Sequence, residues 1–134
     1  IIRGLVGSEM CIRDSYFDET AARAAGYTTL TVPPLFLTHA LVQPKPIENL
    51  RTDGLYNDNA SIELKVSRMM FGGEEWDFHE PVCVGDEITG TTRLADLDEK
   101  EGQKGSFVRL VRETTFTNQR GDIVAKSRQI GIAR

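Results

Sequence analysis

Cysteine is nearly missing: Cys11 and Cys83 are the only two in 134 residues. Far apart in the chain and with no ligand-spaced histidine pair beside them, they give neither a disulfide framework nor a zinc site. Clustered positive charge is missing too. The 16 lysines and arginines are scattered among 20 carboxylates, for a formal net charge of −4 and a pI near 5.2. Binding a phosphate backbone takes a concentrated basic surface, so nucleic acid is excluded as a partner. Nor is there a long apolar run. The longest, Val32 to Val42, is interrupted by Pro33, Pro34, Thr38 and His39 and falls far short of the ~20 residues that cross a bilayer. A soluble protein of a reducing cytoplasm, with no membrane association, is expected. With 40% hydrophobic residues, the chain has room for one domain around one core.

The front of the chain stands apart from the rest. Leu5-Val6-Gly7-Ser8-Glu9-Met10-Cys11-Ile12-Arg13-Asp14 resembles the translated read-through of a sequencing adapter. Residues 1–15 are therefore expected to be a non-native leader, and residues 16–134 a single domain that lacks its authentic amino-terminal segment. Cys83 is then the one native cysteine, and between Val82 and Val84 it reads as a small buried hydrophobe.

From Asp18 the local signals become legible. Asp18 or Glu19 starts a short surface helix that runs to Ala25 and stops at Gly26. Pro33 and Pro34 fit the first turn of a second helix, where no backbone donors are needed. Leu35 to Val42 continues it with apolar residues nearly all round, which predicts burial. Pro44 and Pro46 end it, and 45–60 reads as a long covering loop. Strands follow: 61–71, with a turn at Gly72-Gly73; the Trp76–Phe78 segment, broken by Pro81 to Asp86; then 87–97, 107–117 and 122–134. The connections are Asp98 to Gly105 and Asn118-Gln119-Arg120-Gly121. One apolar helix followed by four or five antiparallel strands has an economical solution, an α+β hot-dog fold in which the sheet wraps around the central helix. Such a sheet leaves an edge and a helix flank uncovered, which predicts an obligate dimer.

Several segments in this order resemble the MaoC-like dehydratase superfamily, in particular its amino-terminal FAS1-like dehydratase domain. They are Tyr16-Phe17-Asp18-Glu19 with Ala22-Arg23-Ala24-Ala25-Gly26-Tyr27, then Val32-Pro33-Pro34-Leu35-Phe36, then Phe71 to Asp86, and finally Thr115-Phe116-Thr117-Asn118-Gln119-Arg120-Gly121. The resemblance implies an R-specific enoyl-CoA hydratase or 3-hydroxyacyl-CoA dehydratase system, acting on a coenzyme A thioester and needing no further cofactor. It also implies that a catalytic member carries an Asp-x-Asn-Pro-x-His segment just before the first helix. Here the histidine position falls on Tyr16 and the aspartate position on Cys11, so neither half of the dyad is present. Phenols titrate near ~10 and are poor bases at neutral pH. Pro33 and Pro34 also withhold backbone N–H groups from a thioester oxygen, leaving Leu35 as the first donor. The expected role is an acyl-CoA-binding, non-catalytic subunit or domain, paired as a homodimer or with a catalytic MaoC-type subunit. Its substrate-binding residues would be Tyr16, Pro34, Leu35, Phe36 and His39, with no catalytic residue and no metal ligand of its own. A hot-dog thioesterase is the alternative, although Leu35 to Gln43 has no carboxylate to activate water. A binding scaffold without turnover is another.

Other polar residues have plainer readings. His39 is expected to be hydrogen-bonded in the core or to face the dimer seam. His79, two residues from Asp77 on the same strand face, is expected on a solvent-facing or interfacial surface. Asp86 after Gly85 should cap a turn. Trp76, Phe78 and Phe116 read as core or interface aromatics. Arg68, Arg109, Arg112 and Arg128 are strand-surface cations that could meet coenzyme A phosphates. If the second helix is wrapped on all sides, Phe36→Asp should abolish soluble folding, which a solubility and circular-dichroism measurement checks.

Overall fold

Asp18 opens the first helix by accepting hydrogen bonds from the backbone N–H groups of Thr20 at 2.8 Å and Ala21 at 3.3 Å, the usual service of an N-cap carboxylate. Helix α1, Glu19–Ala24, turns only Ala22 into the interior, and Gly26 ends it at φ +94°, a conformation that favours glycine. The structure, a computed structural model, describes residues 14–40, 46–49, 68–103 and 105–134. A 3₁₀ turn at Pro34–Phe36 leads directly into α2, Leu37–Ala40, as the two prolines predict. A second 3₁₀ turn covers Ile47–Asn49. The expected continuation of α2 beyond Ala40, most of the covering loop and the strand at 61–67 lie outside the described residues.

Four strands form one antiparallel sheet: β1 Met69–Phe78, β2 Thr89–Gly102, β3 Gly105–Thr117 and β4 Ile123–Ala133, in the spatial order β1-β4-β3-β2. With the short helices on it, this is the hot-dog architecture. Leu37 from α2 reaches the sheet and packs with Phe116, Val124 and Ala125, while Trp76, Val82 and Ile88 border the cluster. Trp76 stacks between Phe78, with ring centroids 5.5 Å apart, and Phe116 at 5.3 Å. The core is thus centred where β1, β4 and β3 meet the start of α2.

Two boundaries differ from expectation. Gly72-Gly73 makes no turn; the pairing of β1 with β4 shifts register between Phe71 and Gly73, and the strand runs on to Phe78. Gly73 at φ +144° lets the backbone bulge. A Cβ at Gly72 would come within 3.1 Å of Ile130 and Ile132 side-chain atoms, so the glycine pair serves close packing against β4. The polar run after Leu97 also stays in strand until Gly102. On this edge strand polar side chains face solvent and find cross-strand partners: Asp98 accepts from Arg109 Nε at 2.8 Å and lies 3.2 Å from Lys100.

Burial along the second helix is one-sided. Leu37 is 4% exposed, whereas Leu35 and Phe36 are 58% and 55% exposed, and His39 is exposed rather than in the core. One sheet face covers one flank of a helix, so the expectation that Phe36 is buried within the chain is corrected. We expect Leu37→Ala to cost about 2–5 kcal/mol in a urea unfolding curve. Phe36→Asp, by contrast, should remain folded and soluble; loss of folding in that variant would mean that Phe36 is buried in the isolated chain.

Candidate functional site

The segment Leu30–Val32 is held from both sides. Thr31 N–H donates to Ser15 O at 3.0 Å, and the Thr31 and Ser15 hydroxyls lie 2.9 Å apart in a buried contact. On the other side Val32 N–H donates to Val82 O, and Val84 N–H to Leu30 O, both at 2.8 Å, around the isolated bridge of Thr31 with Cys83. Ser15, which the sequence places in the leader, is therefore built into the fold with 2% exposure. Cys83 is half-buried. Its backbone is the useful part.

This double attachment brings the segment before α1, the start of the second helix and the end of β1 around one pocket of about 190 Å³. Tyr16, Pro34 and Leu37 stand on one part of its wall, and Phe78, Val82 and Val124 on another. Of the five residues predicted for substrate binding, Tyr16 and Pro34 line the pocket; Leu35, Phe36 and His39 do not. Leu35 and Phe36 belong to the exposed flank of the same turn, as the one-sided packing requires. Pro33 and Pro34 line the wall without an N–H to offer.

His79 and Glu80 also line the pocket; His79 is exposed, in keeping with the solvent-facing expectation, and its place at the pocket is the added finding. β1 ends at Phe78, so His79 lies just beyond the strand. The chain is then drawn across β4, with the N–H groups of His79 and Glu80 both donating to Val124 O, at 2.9 and 3.2 Å. The available signal was Pro81, which ends the strand and releases the preceding residues from strict alternation. The four strand arginines do not line the pocket. Arg109 is held by Asp96 and Asp98, and Arg128 lies 3.9 Å from Glu75. Among the described residues no three histidine, cysteine or acidic side chains gather as a metal site would require, and no helix is long and apolar enough to cross a membrane.

Asp86 fixes the Val82–Val84 wall. Its Oδ2 accepts from Cys83 N–H at 2.8 Å and its Oδ1 from Gln119 Nε2 at 2.9 Å, so the turn predicted there is also a tie to the β3–β4 hairpin. The Cys83 N–H first, and then Gln119, hold the carboxyl below the usual aspartate range.

The residues at 10–127 match the family model described as FAS1-like, dehydratase domain region. A UPF0336 protein of Parafrankia sp. is 31% identical over 109 residues, which are 81% of this chain and 64% of the relative; the chain thus spans somewhat under two thirds of that protein's length. Two solved structures share the fold. One is the C-terminally truncated HadBC (3R-hydroxyacyl-ACP dehydratase) complex of Mycobacterium tuberculosis, with a TM-score of 0.64 and 20% identity over 92% of this chain and 85% of that one. The other is a MaoC-like dehydratase, with a TM-score of 0.65 and 20% identity over 92% of this chain and 34% of that one.

Asp86→Ala should lower stability at neutral pH by about 1 kcal/mol, as for one lost hydrogen-bond acceptor. A depressed carboxyl stabilises the fold above its unfolded-state pKa of about 3.9, and that contribution fades as pH falls through the lower folded value. Urea midpoints of the parent and the variant should therefore converge as pH drops below ~4. A gap that stays constant into that range would remove Asp86 as the wall's anchor.

Proposed function

Since the chain belongs to the FAS1-like dehydratase family, we propose that it is the acyl-thioester-binding half of a (3R)-hydroxyacyl dehydratase or R-specific enoyl-thioester hydratase, and that a second hot-dog unit supplies the catalytic dyad. The observation that carries this reading is Tyr16 in the pocket wall, at the position where the resemblance implies an imidazole, beside two prolines that withhold donors. Adding water across a conjugated thioester needs a base to take the water proton and donors to stabilise the enolate-like oxygen. Tyr16 can accept or donate one hydrogen bond and can orient a bound group, but a neutral phenol does not generate hydroxide. The apolar wall of Leu37, Phe78, Val82 and Val124 suits an acyl chain. The two-subunit form is supported by the HadBC structure, which is a complex by its own description. The exposed Leu35 and Phe36 beside the pocket give a second unit an apolar surface to cover.

A second reading rests on His79 with Glu80. An imidazole does line this pocket, so the chain could supply its own base from the β1 end rather than from the position of Tyr16. Hydration of crotonyl-CoA distinguishes the two. The chain alone should be silent, and turnover should arise on mixing with a catalytic MaoC-type subunit. Robust turnover by the chain alone, lost on His79→Ala, would replace the first reading with the second.

A further inference from the structure

The residues around the pocket separate by depth. Leu37, Val124, Ser15 and Thr31 are buried and make its floor. Pro34, Phe78, His79 and Glu80 are exposed and make its rim, with Tyr16 and Tyr27 half-buried between the two. The floor is backed by packed side chains. Leu37 and Val124 belong to one cluster with Phe116 and Ala125, and Trp76 and Ile88 pack against the same cluster. On the other side of the floor the Ser15 and Thr31 hydroxyls engage each other at 2.9 Å.

Val124 ties floor to rim. Its side chain is part of the floor, while its carbonyl oxygen accepts from the N–H groups of His79 at 2.9 Å and Glu80 at 3.2 Å. The depth of the pocket is therefore fixed by a single residue, whose main chain cannot recede without releasing both rim residues. A side chain packed at interior density has little room to yield either.

Volume then sets a scale. An apolar cavity of about 150 Å³ takes up benzene, or roughly 25 Å³ for each carbon. At about 190 Å³, this pocket admits about seven or eight heavy atoms. A six-carbon acyl group with its carbonyl oxygen is about that size.

We propose that the pocket selects short acyl groups, up to about six carbons, and that Val124 sets the limit. The proposal rests on the acyl-thioester-binding reading above and names its substrate class. The chain enters methyl end first, toward the apolar Leu37 and Val124. Its carbonyl stays toward the rim, where Tyr16, Tyr27 and His79 carry hydrogen-bond donors. A longer chain has to displace the Val124 side chain or leave its thioester outside the rim.

The test is a calorimetric titration of the full chain with coenzyme A and with its butyryl, hexanoyl, octanoyl and decanoyl thioesters. Each buried methylene should tighten binding about fourfold, so hexanoyl-CoA should bind about fifteenfold tighter than butyryl-CoA. Octanoyl-CoA should then fall about tenfold below hexanoyl-CoA as the chain meets the floor. Val124→Ala should raise octanoyl-CoA to the hexanoyl level or above, and Val124→Ile should drop hexanoyl-CoA below butyryl-CoA. A melting curve shows that each variant is folded; where Val124→Ala unfolds, Val124→Ile, which keeps the floor filled, still reads the limit. Affinity that rises or levels off through decanoyl-CoA in the parent overturns the limit and spares the acyl-binding reading. A limit that stays between hexanoyl and octanoyl in a folded variant removes Val124 as its cause. Equal binding of coenzyme A and every thioester, or binding of none, overturns both the limit and the acyl-binding reading.

Discussion

The strap of Leu30–Val32 is the constraint on which the rest of the site depends. It is bonded on one side to Ser15 and on the other to Val82 and Val84, so it joins three segments that are distant in sequence. Because Thr31 is 6% exposed, its backbone groups must be paired within the protein, and leaving one unpaired would carry a desolvation penalty of about 1–3 kcal/mol. The position of Tyr16 follows from Ser15, and that of Pro33 and Pro34 from Val32. The opposite wall follows from Val82, and Asp86 keeps that wall in register with the β3–β4 hairpin. A pocket built this way is held largely by main-chain bonds, so its wall side chains can vary without moving the wall.

That freedom bears on chemistry. On the proposed reading, a binding half and a catalytic half would share one backbone and differ at position 16, just ahead of the Asp18 cap of α1. With Tyr16 there, the pocket keeps its shape and its apolar lining and offers a hydroxyl in place of an imidazole. The same main-chain logic places His79 and Glu80 by their N–H bonds to Val124 O, and among the described residues their side chains have no hydrogen-bond partner that fixes them at the pocket. Residues positioned by backbone alone are well suited to meeting a ligand's polar groups, which compete with water rather than with an existing protein partner.

The sequence was most readable where one residue type has one local use. Asp18 as a cap, Gly26 as a stop, Pro33-Pro34 at a helix start, Asp86 in its turn and Asn118 to Gly121 as a hairpin are all found as expected, because each rests on contacts within a few residues. Long-range consequences were less readable. Gly72-Gly73 looked like a turn, and only Ile130 and Ile132 on the neighbouring strand make it a bulge. Asp98 to Gly102 looked like a loop, and only Arg109 across the ladder shows why polar residues persist in the strand. Of the site, Tyr16 and Pro34 were legible. The exposure of His79 was legible as well, but its place at the pocket was not, since that depends on where β1 lets go of β4, which periodicity does not encode.

Helix α2 exposes a conflict between composition and single-chain geometry. Its neighbourhood carries apolar residues on every side, yet one sheet can bury only the Leu37 side, and Leu35, Phe36 and Ile47 remain open to water. Leaving aromatic and aliphatic side chains exposed forgoes about 1.5–3 kcal/mol each relative to full burial. A sequence that places them beside a binding pocket gains most when another surface covers them. The exposed flank adjoins the pocket wall through Pro34, so whatever covers Leu35 and Phe36 also closes that side of the pocket. On the proposed two-unit reading, assembly and ligand binding would be coupled by adjacency: a partner burying the turn at Pro34–Phe36 would rigidify one wall, and a ligand filling the pocket would rigidify the same wall from within. Each would then lower the ordering cost of the other, a positive cooperativity that needs no change of fold.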